Sequence, residues 1–365
     1  MTTATWWSRL RPRAGGVVMS VLALLIVVPF SAGTTTTTAY AAPNPDVSQE
    51  FESSVPLRIG SFNVRCANCY TGRASEVPWE QRRGAVVESI LSQDLDVLGV
   101  QEASQGRIRS VGGQNGLSQF EDLTNRLGAP WDLVNDVRYN CVREMSPSRC
   151  RVRDRGASLG TRILYNSNRI AVVDSGSLLL PETNTKGTRH YVAWAKLQQL
   201  DTGLEFMVSN SHFTAYPENH ALRKRQAAVA LAEVKSHNTD DLPLITLGDW
   251  NSSRFDSKGN GPYNVYIAGG QIDPLGGKPG TGQAAPTATV GNRVNTWLNS
   301  FNGFNRHAGG NRAYVNGSYL DYILTSPMRV SEWETVAKLD ANGNFIGQIP
   351  SDHNLVRATV WLPSP

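Results

Sequence analysis

The sequence predicts an α+β fold in which two β-sheets stack face to face and helices cover the outside. Short apolar runs rich in branched residues recur at strand length, and longer segments with helical spacing separate some of them. Strands and helices alternate in two halves, and in each half acidic residues follow the ends of strand-like runs. No charged linker or shift in composition divides the sequence after residue 41, about 320 residues, so a single large domain is expected there.

The first half of the chain is predicted to alternate strands with helices. Residues 57–64 and 96–100 have the short apolar pattern of strands. Residues 80–93 place aliphatic side chains at helical spacing and charged side chains on the opposite face, which predicts a helix. Residues 117–127 predict a second amphipathic helix that ends before Gly128.

The second half is predicted to be mostly strand, with one helix at residues 221–235. Its strand-like segments cover residues 162–165, 170–180, 191–200, 204–210, 242–247, 319–324, 330–339 and 355–362. Residues 269–295 are rich in Gly, Pro, Thr and Ala, which predicts a long surface loop. Asn342-Gly343 predicts a hairpin turn.

The first 41 residues have the features of a secretory signal peptide. Three arginines precede an apolar stretch at residues 17–30 that is too short to span a membrane comfortably, and Ala39-Tyr40-Ala41 offers a cleavage site. We therefore expect cleavage after Ala41, a short extension at residues 42–56 and one folded domain at residues 57–365. We therefore expect the protein to be secreted and soluble, to be a monomer, and not to insert stably into a membrane. The alternative is a signal anchor that is not cleaved.

Net charge does not point to a polyanionic partner. The whole chain carries +4. The three arginines of the signal peptide leave with it and no acid does, so the mature chain keeps about +1. Any evidence for nucleic acid must therefore come from a local cluster of basic residues.

Four cysteines suit an exported protein with two disulfides. Three pairings are open, and the pairs Cys66–Cys69 and Cys141–Cys150 are favoured because each closes a short loop. Cys66 and Cys69 could instead form half of a zinc site or a redox motif. A zinc site needs further Cys or His residues nearby, and the sequence has none there, so structural disulfides are preferred.

A carboxylate and a carboxamide directly follow the apolar run at residues 242–247. The tetrapeptide is Gly248-Asp249-Trp250-Asn251, and if the chain stays extended there, Asp249 and Asn251 project to the same face at the end of the strand. Such a pair can bind a metal-activated water and a phosphate oxygen. The alternative is an ordinary turn, because Gly, Asp and Asn are common turn residues.

Other strand-like runs carry polar residues of the same kinds at their ends. These residues are Asn63, Glu102, His212, Asp321 and the pair Asp352 and His353. A buried acid costs several kcal/mol unless it is paired or binds a metal ion. Such a set of strand ends is not expected to be a series of unrelated surface turns, so we expect the side chains to form one site.

Together these motifs resemble the endonuclease/exonuclease/phosphatase superfamily, whose branches include pancreatic-type deoxyribonuclease, exonuclease III-type repair nucleases, bacterial sphingomyelinases and inositol polyphosphate 5-phosphatases. The matching motifs are Ser61-Phe62-Asn63, Val100-Gln101-Glu102, Ile163-Leu164-Tyr165, Asn210-Ser211-His212-Phe213, Gly248-Asp249-Trp250-Asn251, Leu320-Asp321-Tyr322-Ile323 and Ser351-Asp352-His353. They occur in the order of the family and span residues 57–361. The resemblance implies a four-layer α/β/β/α sandwich of two mostly antiparallel sheets, with a catalytic domain at residues 57–365 that hydrolyses phosphate esters.

The resemblance also implies where metal and phosphate would bind. Glu102 would hold a divalent cation with help from Asn63, and Asp352 would contribute a second or shared metal position. Oxygen ligands favour Mg²⁺ or Mn²⁺ over zinc, with Ca²⁺ as an alternative. Asn63 and Asn251 would also contact the substrate, and Arg189 matches an arginine that contacts phosphate in the nuclease branch.

The remaining residues would carry the proton chemistry. Asp249 and Asn251 would orient the attacking water and a phosphate oxygen. His353 and Asp321 would form a carboxylate-oriented imidazole that acts as a base or stabilises the charged phosphorane. His212 would lie on the other side of the phosphate, near the leaving group. The other histidines are predicted to be surface residues, namely His190, His220, His237 and His307.

One departure from the nuclease pattern concerns His212. Pancreatic-type nucleases carry a glutamate just before the strand that matches residues 162–165, where it orients the corresponding histidine. Residues 156–160 of this chain are Gly, Ala, Ser, Leu and Gly, with no acid. The resemblance therefore leaves His212 without its orienting partner, whereas the metal site and the pair His353 and Asp321 are unaffected.

The choice of substrate depends on a basic segment that Cys141 and Cys150 bracket. Residues 138–155 contain six arginines, and the acids in and beside this segment are Asp136, Glu144 and Asp154. In the family order the segment lies on a side where nucleases hold the phosphate backbone, so nucleic acid is the first choice. A disulfide-closed surface loop with scattered charges is the alternative.

Three other functions compete with nuclease activity. A phospholipid or inositol phosphate phosphoesterase needs exposed aromatics for membrane contact, and Trp297, Phe301 and Phe304 are candidates, although a core role suits them better. A phosphomonoesterase acting on nucleotides or sugar phosphates is also open. A non-catalytic phosphate-binding module is least supported, because the acids and imidazoles of the metal site and the His353 pair are present.

Overall fold

The computed structural model describes residues 55–106, 108, 116–136, 158–182, 189–253, 259–276, 290–311 and 317–363. The predicted signal peptide, the basic segment at residues 138–155 and the pair Cys141 and Cys150 lie outside these ranges. Within them, no helix is both long enough and apolar enough to cross a bilayer.

A seven-stranded mixed sheet forms one layer of the fold. Its strands, in spatial order, are β3 (Trp131–Leu133), β4 (Arg162–Asn166), β2 (Val97–Gln101), β1 (Leu57–Asn63), β12 (Val356–Trp361), β11 (Arg329–Thr335) and β9 (Asn292–Val294). β1 is parallel to β2 and antiparallel to β12. β1 and β2 therefore end at the same edge, and Asn63 lies beside Gln101 there.

A five-stranded sheet forms the second layer. Its strands, in spatial order, are β10 (Asp321–Thr325), β8 (Leu244–Asp249), β7 (Glu205–His212), β6 (Tyr191–Gln199) and β5 (Ile170–Leu179). β7 and β8 are parallel, and the other neighbours are antiparallel. The register places Asp249 beside both His212 and Asp321, so three predicted site residues meet at one edge of this sheet.

Helices cover the outer face of each sheet. Those in the described residues are α1 (Trp79–Leu91), α2 (Gln119–Leu127), α3 (His220–His237) and α4 (Gly261–Ala268). Apolar side chains of α1 and α2 pack with the first sheet and those of α3 and α4 with the second, while a third cluster fills the space between the sheets. The predicted α/β/β/α sandwich is confirmed, and both of its sheets are mixed.

Local sequence explains where two of the helices begin. Ser118 caps α2 through a capping box with Glu121. α4 was not predicted from the sequence, because its first residues, Gly261 and Pro262, are typical of loops. Proline is compatible with the first turn of a helix, where its missing N–H needs no partner, and the Asn260 side chain caps the same end.

The predicted surface loop at residues 269–295 is wrong over its first part. Residues 271–276 are buried or half-buried, and Ile272 pairs with Thr325 in an isolated bridge. The short strand β9 also lies within the predicted loop. Amino-acid composition does not predict these pairings, because the partner residues are remote in the sequence.

Asn210 joins the two sheets inside the core. Its Nδ2 donates hydrogen bonds to the carbonyl oxygens of Val100 (2.9 Å) and Arg162 (2.8 Å), and its Oδ1 accepts one from Gln101 Nε2 (2.7 Å). Asn210 is fully buried, and a Cβ at the facing Gly99 would lie 2.9 Å from its amide carbon. These bonds hold the end of β2 against β7.

Candidate active site

Strand ends from both sheets converge on one cavity of about 1140 Å³. The predicted site residues that line it are Glu102, Arg189, His212, Asp249, Asn251, Asp352 and His353. Asn63 and Asp321 are buried and hydrogen-bonded to residues of this lining. The structure therefore brings all the sequence-predicted site residues together, with Arg189 exposed at the wall of the cavity.

Asn63 connects acids of the two sheets. Its Nδ2 donates to Glu102 Oε1 (3.1 Å) and to Asp249 Oδ2 (2.9 Å), while its Oδ1 accepts from the Arg65 N–H (3.0 Å). An amide nitrogen cannot ligate a cation. In this arrangement Asn63 fixes the separation of two carboxylates, and a ligand role, which stays a prediction, would use the remaining lone pair of Oδ1.

His353 and Asp321 form the predicted carboxylate–imidazole pair. His353 Nδ1 lies 2.8 Å from Asp321 Oδ2, and the other ring nitrogen, Nε2, lies 3.5 Å from Asp249 Oδ2. Burial disfavours a positive charge on His353, but the Asp321 and Asp249 carboxylates outweigh it and raise the pKa of the imidazole well above its ordinary value of 6.5. Phe301 packs edge-on against the same ring.

The tetrapeptide is both a turn and part of the site. Asn251 has a φ of 48°, so the chain does not stay extended there and the turn alternative applies. The turn is closed by the Asn251 N–H, which donates to Asp249 Oδ1 at 2.9 Å. Trp250 between them is fully buried, with its ring stacked against those of Tyr266 and Tyr322. This anchor keeps Asp249 and Asn251 on the cavity side.

His212 approaches the same carboxylate from the other side. Its Nε2 lies 3.5 Å from Asp249 Oδ2 and 3.0 Å from Asn251 Nδ2. Among the described residues, Asp249 has the only carboxylate within ion-pairing distance of the His212 ring. The missing orienting glutamate is therefore not replaced there by another acid.

His190 is a site residue that the sequence analysis assigns wrongly to the surface. It is buried and lines the cavity, and its Nδ1 lies 2.7 Å from the carbonyl oxygen of His212. The two imidazole rings meet edge to face at 5.6 Å. Burial, with a smaller effect of the neighbouring His212, lowers the pKa of His190 to about 4, so this ring is neutral at physiological pH. Its position directly before β6, where a polar residue meets a strand, was the sequence feature that could have indicated a site residue.

Arg65 brings a positive charge into the acidic part of the cavity, which the sequence analysis misses. Its Nη1 lies 3.7 Å from Asp352 Oδ2 and 4.0 Å from Glu102 Oε2, and its Nε lies 3.2 Å from Glu76 Oε1. Burial opposes the charge on Arg65, but these carboxylates outweigh it and raise its pKa. Its Nη2 donates to the Cys69 carbonyl oxygen.

Two buried side chains hold the segments that carry these groups. Arg82 is 1% exposed and donates to the carbonyl oxygens of Val64, Arg65 and Pro350. Ser351 Oγ donates to the Asn63 carbonyl oxygen at 2.7 Å. The end of β1 is thereby tied to the segment that carries Asp352 and His353.

The donors around Glu102 fit a hard divalent cation. Glu102 Oε1 and Oε2 accept hydrogen bonds from Asn63 Nδ2 and the Cys66 N–H, which leaves a further lone pair on each oxygen. Burial disfavours ionisation of Glu102, but His212 and the two hydrogen bonds outweigh it and lower the pKa of this carboxyl. With Asp352 nearby, the donors are oxygens, as Mg²⁺ and Mn²⁺ prefer.

Among the described residues, two other groups have spacings that suit a metal ion, and neither fits one as well. Asp249, Asp321 and His353 have ligand atoms within 4.8 Å of one another, but the trio is buried and Asp321 already engages His353 Nδ1. Cys66 and Cys69, the second group with Glu102, are joined as a disulfide and offer no thiolate.

Comparison with known families agrees with this geometry. The model of the Endonuclease/Exonuclease/phosphatase family matches residues 60–353. The chain belongs to this family. Its members are hydrolases of phosphate esters, nucleases and phosphatases among them, and they generally use divalent metals. The reaction class of this chain, hydrolysis of a phosphate ester, follows from that membership.

Individual relatives are distant. Human nocturnin is 23% identical over 244 residues, an alignment that covers 60% of this chain and 51% of nocturnin, so the chain spans about half the length of this relative. Among solved structures, a mannosyl-6-phosphatase of Bacteroides thetaiotaomicron VPI-5482 superposes with a TM-score of 0.59 at 20% identity, covering 83% of this chain and 99% of its own. D. rerio TDP2, complexed with a single strand DNA product, gives 0.53 at 16% identity, with 84% and 98% covered.

Proposed function

We propose that the mature protein is a secreted, divalent-metal-dependent phosphodiesterase that hydrolyses nucleic acid by attack of water on phosphorus. The observation that carries the proposal is the convergence of Glu102, Asp249 and His353 from three separate segments on one open cavity. An acidic metal position, a carboxylate and a charged imidazole are the groups that in-line displacement at phosphorus requires.

Asp249 organises the reacting groups in this proposal. Its Oδ2 lies 3.5 Å from both His212 Nε2 and His353 Nε2, so both rings face the same carboxylate oxygen. A phosphoryl group bound beside this carboxylate would lie close to both rings, and the proton on His353 would neutralise charge that develops on the phosphorane. Asp249 would orient the attacking water, and Asn251, whose Nδ2 contacts His212 Nε2 and the Phe213 carbonyl oxygen, would help to position the phosphate.

The cation would be held by Glu102, with Asn63 and Asp352 as neighbouring oxygen donors. A bound divalent cation supplies Lewis acid activation of the phosphate and lowers the charge of the substrate. The residues of this chain do the positioning: Asn63 spaces Glu102 from Asp249 through its two hydrogen bonds, and Cys66 fixes the second oxygen of Glu102.

Nucleic acid is proposed as substrate because the cavity is open and carries cationic side chains beyond the reacting groups. Arg65, Arg73 and Arg189 all line it, so phosphates on either side of the scissile one would find positive charge. The complex of D. rerio TDP2 with a single strand DNA product supports this choice for a protein of the same fold.

A phosphomonoesterase acting on a sugar phosphate is the second candidate. It is favoured by the similarity in fold to a mannosyl-6-phosphatase, whose TM-score of 0.59 is higher than that of TDP2. Asn305, Thr71 and Arg73 of the cavity wall would then hydrogen-bond to sugar hydroxyls rather than to a polymer backbone.

One substrate panel distinguishes these functions. The mature protein is incubated with Mg²⁺, with and without EDTA, on plasmid DNA, RNA, sphingomyelin, a nucleoside monophosphate and mannose 6-phosphate. We expect metal-dependent cleavage of DNA or RNA with little release of phosphate from the monoesters. If the protein hydrolyses the lipid and leaves nucleic acid intact, or hydrolyses only mannose 6-phosphate, the proposed nuclease function is wrong.

Secretion, a monomeric state and two disulfides complete the proposal. The pairing of Cys66 with Cys69 supports an oxidised, exported protein. Mass spectrometry of the protein collected from the medium should give an N-terminus at Ala42 and no free thiol, and light scattering should give the mass of one chain. An intact N-terminus at Met1 in a membrane fraction would contradict secretion.

A further inference from the structure

The guanidinium of Arg65 lies between the two carboxylates that would hold a pair of metal ions. The same nitrogen, Nη1, is within 4.0 Å of both Glu102 Oε2 and Asp352 Oδ2. In sites that hold two metal ions, the cations lie about 3.5–4 Å apart and share carboxylate ligands. The charge of Arg65 therefore lies beside both carboxylates that a second cation would need as ligands.

The backbone at Arg65 is held in an unfavourable conformation that delivers the side chain to this position. Its φ is 54°, in the left-handed region that side-chain-bearing residues seldom adopt. Asn63 Oδ1 accepts the N–H of Arg65, and Arg82 and Gln119 both donate to its carbonyl oxygen. These contacts from three segments fix the peptide and offset its strain.

The side chain of Arg65 is held as firmly as its backbone. Glu76 Oε1 lies 3.2 Å from Nε, and the Cys69 carbonyl oxygen accepts from Nη2 at 2.9 Å. Glu76 is itself fixed, because its Oε2 accepts from both the N–H and the hydroxyl of Thr71. The guanidinium is thus built into the wall of the cavity rather than free to leave when a cation arrives.

We infer that Arg65 takes the place of a second metal ion, so that the site binds a single divalent cation, at Glu102. This inference rests on the proposed metal-dependent function and deepens it. Arg65 neutralises Asp352 and supplies permanent positive charge beside the bound phosphate. Removal of Arg65 should free Oδ2 of Asp352, the oxygen that Arg65 engages, for a second cation.

Metal stoichiometry tests the inference without an activity assay. Isothermal titration of the mature protein with Mn²⁺, checked by counting free Mn²⁺ with electron paramagnetic resonance, should give one bound ion for the natural sequence. Arg65→Ala should bind two, and its first ion should bind at least about tenfold tighter because a nearby positive charge is gone. Arg65→Ala combined with Asp352→Asn should return the count to one.

Matched variants separate charge from folding. Arg65→Lys keeps the charge and should bind one ion, and Arg73→Ala, another arginine of the cavity, should also bind one. Thermal unfolding of each variant confirms that it is folded. Two ions in the natural protein, or one in folded Arg65→Ala, would overturn the inference while leaving the metal-dependent function intact. No Mn²⁺ bound by any variant would instead overturn the proposed function.

Discussion

His353 Nδ1 lies 2.8 Å from Asp321 Oδ2 in a buried pair, while His353 Nε2 points towards Asp249 at the cavity. The pair fixes which nitrogen of the ring faces the substrate. We expect His353→Ala to lower kcat by at least ~10²-fold with a small change in KM, as for a positioned acid or base. The exposed His307→Ala is the control and should keep full activity. Equal rates for both variants would remove His353 from the reaction.

The raised pKa of His353 predicts a pH profile. Since Asp321 and Asp249 keep the ring protonated above its ordinary pKa of 6.5, kcat should stay high through neutral pH and fall only at alkaline pH. Asp321→Asn removes one of these negative charges, lowers the pKa of His353 and should move the alkaline fall to lower pH. Rate profiles of both proteins measure the shift. An alkaline limb that does not move would show that another group causes it.

The same shift predicts how stability depends on pH. A group whose folded pKa is raised stabilises the protein fully below its unfolded pKa, and this contribution is lost as pH rises through the folded value. The free energy of unfolding of the natural protein, minus that of His353→Gln, should therefore be largest below about pH 6.5 and shrink in alkaline buffer. Urea denaturation across this range gives the difference directly, and a difference that grows with pH would contradict the assignment.

Asn210 should matter to stability more than its single side chain suggests. Asn210→Ala removes one hydrogen-bond partner each from two buried carbonyl oxygens and from the Gln101 amide, which we expect to cost about 3 kcal/mol. Asn168→Ala, at an exposed turn, should change stability by less than about 0.5 kcal/mol. Urea unfolding of the two variants tests this, and a cost below about 1 kcal/mol for Asn210→Ala would mean that water satisfies these groups.

Gly248 is required by its conformation and by its surroundings. Its φ is 154°, and a Cβ there would collide with the carbonyl oxygen of Ser211. Gly248→Ala should therefore destabilise the protein by about 3 kcal/mol or more and displace Asp249. Gly84 lies in α1 with open space around it, so Gly84→Ala should raise the free energy of unfolding by about 0.5–1 kcal/mol. The comparison of the two melting curves is the measurement.

The basic segment at residues 138–155 gives a prediction about substrate choice. Replacing Arg149, Arg151 and Arg153 by alanine should slow hydrolysis of a nucleic acid more than that of a small phosphate ester, and should weaken the dependence of the rate on salt. Equal effects on both substrates would indicate a structural loop.

Local signals were sufficient to predict the strand ends that form the site. Asp249 and Glu102 directly follow buried apolar runs, and the polarity of such a position is visible without any knowledge of the fold. The sandwich itself follows from the alternation of strand and helix patterns. Strand order does not, because β1 meets β12 at the far end of the chain.

The residues that were missed depend on contacts that no local pattern encodes. Arg65 follows a strand end like other polar residues, but its place between Glu102 and Asp352 requires a left-handed backbone held by remote partners. His190 looks like a surface residue until β6 and β7 pair and bring it against His212. The direction of the Asn63 amide likewise depends on carboxylates from both sheets.

The hydrogen bond from Asn63 to Asp249 spans 186 positions of sequence and links β1 of one sheet to β8 of the other. Neither sheet alone contains a complete set of reacting groups. Turnover regained during refolding should therefore count only molecules whose sheets have docked, whereas circular dichroism would also count chains with separate, undocked sheets. Recovered activity therefore reports the docking of the two sheets.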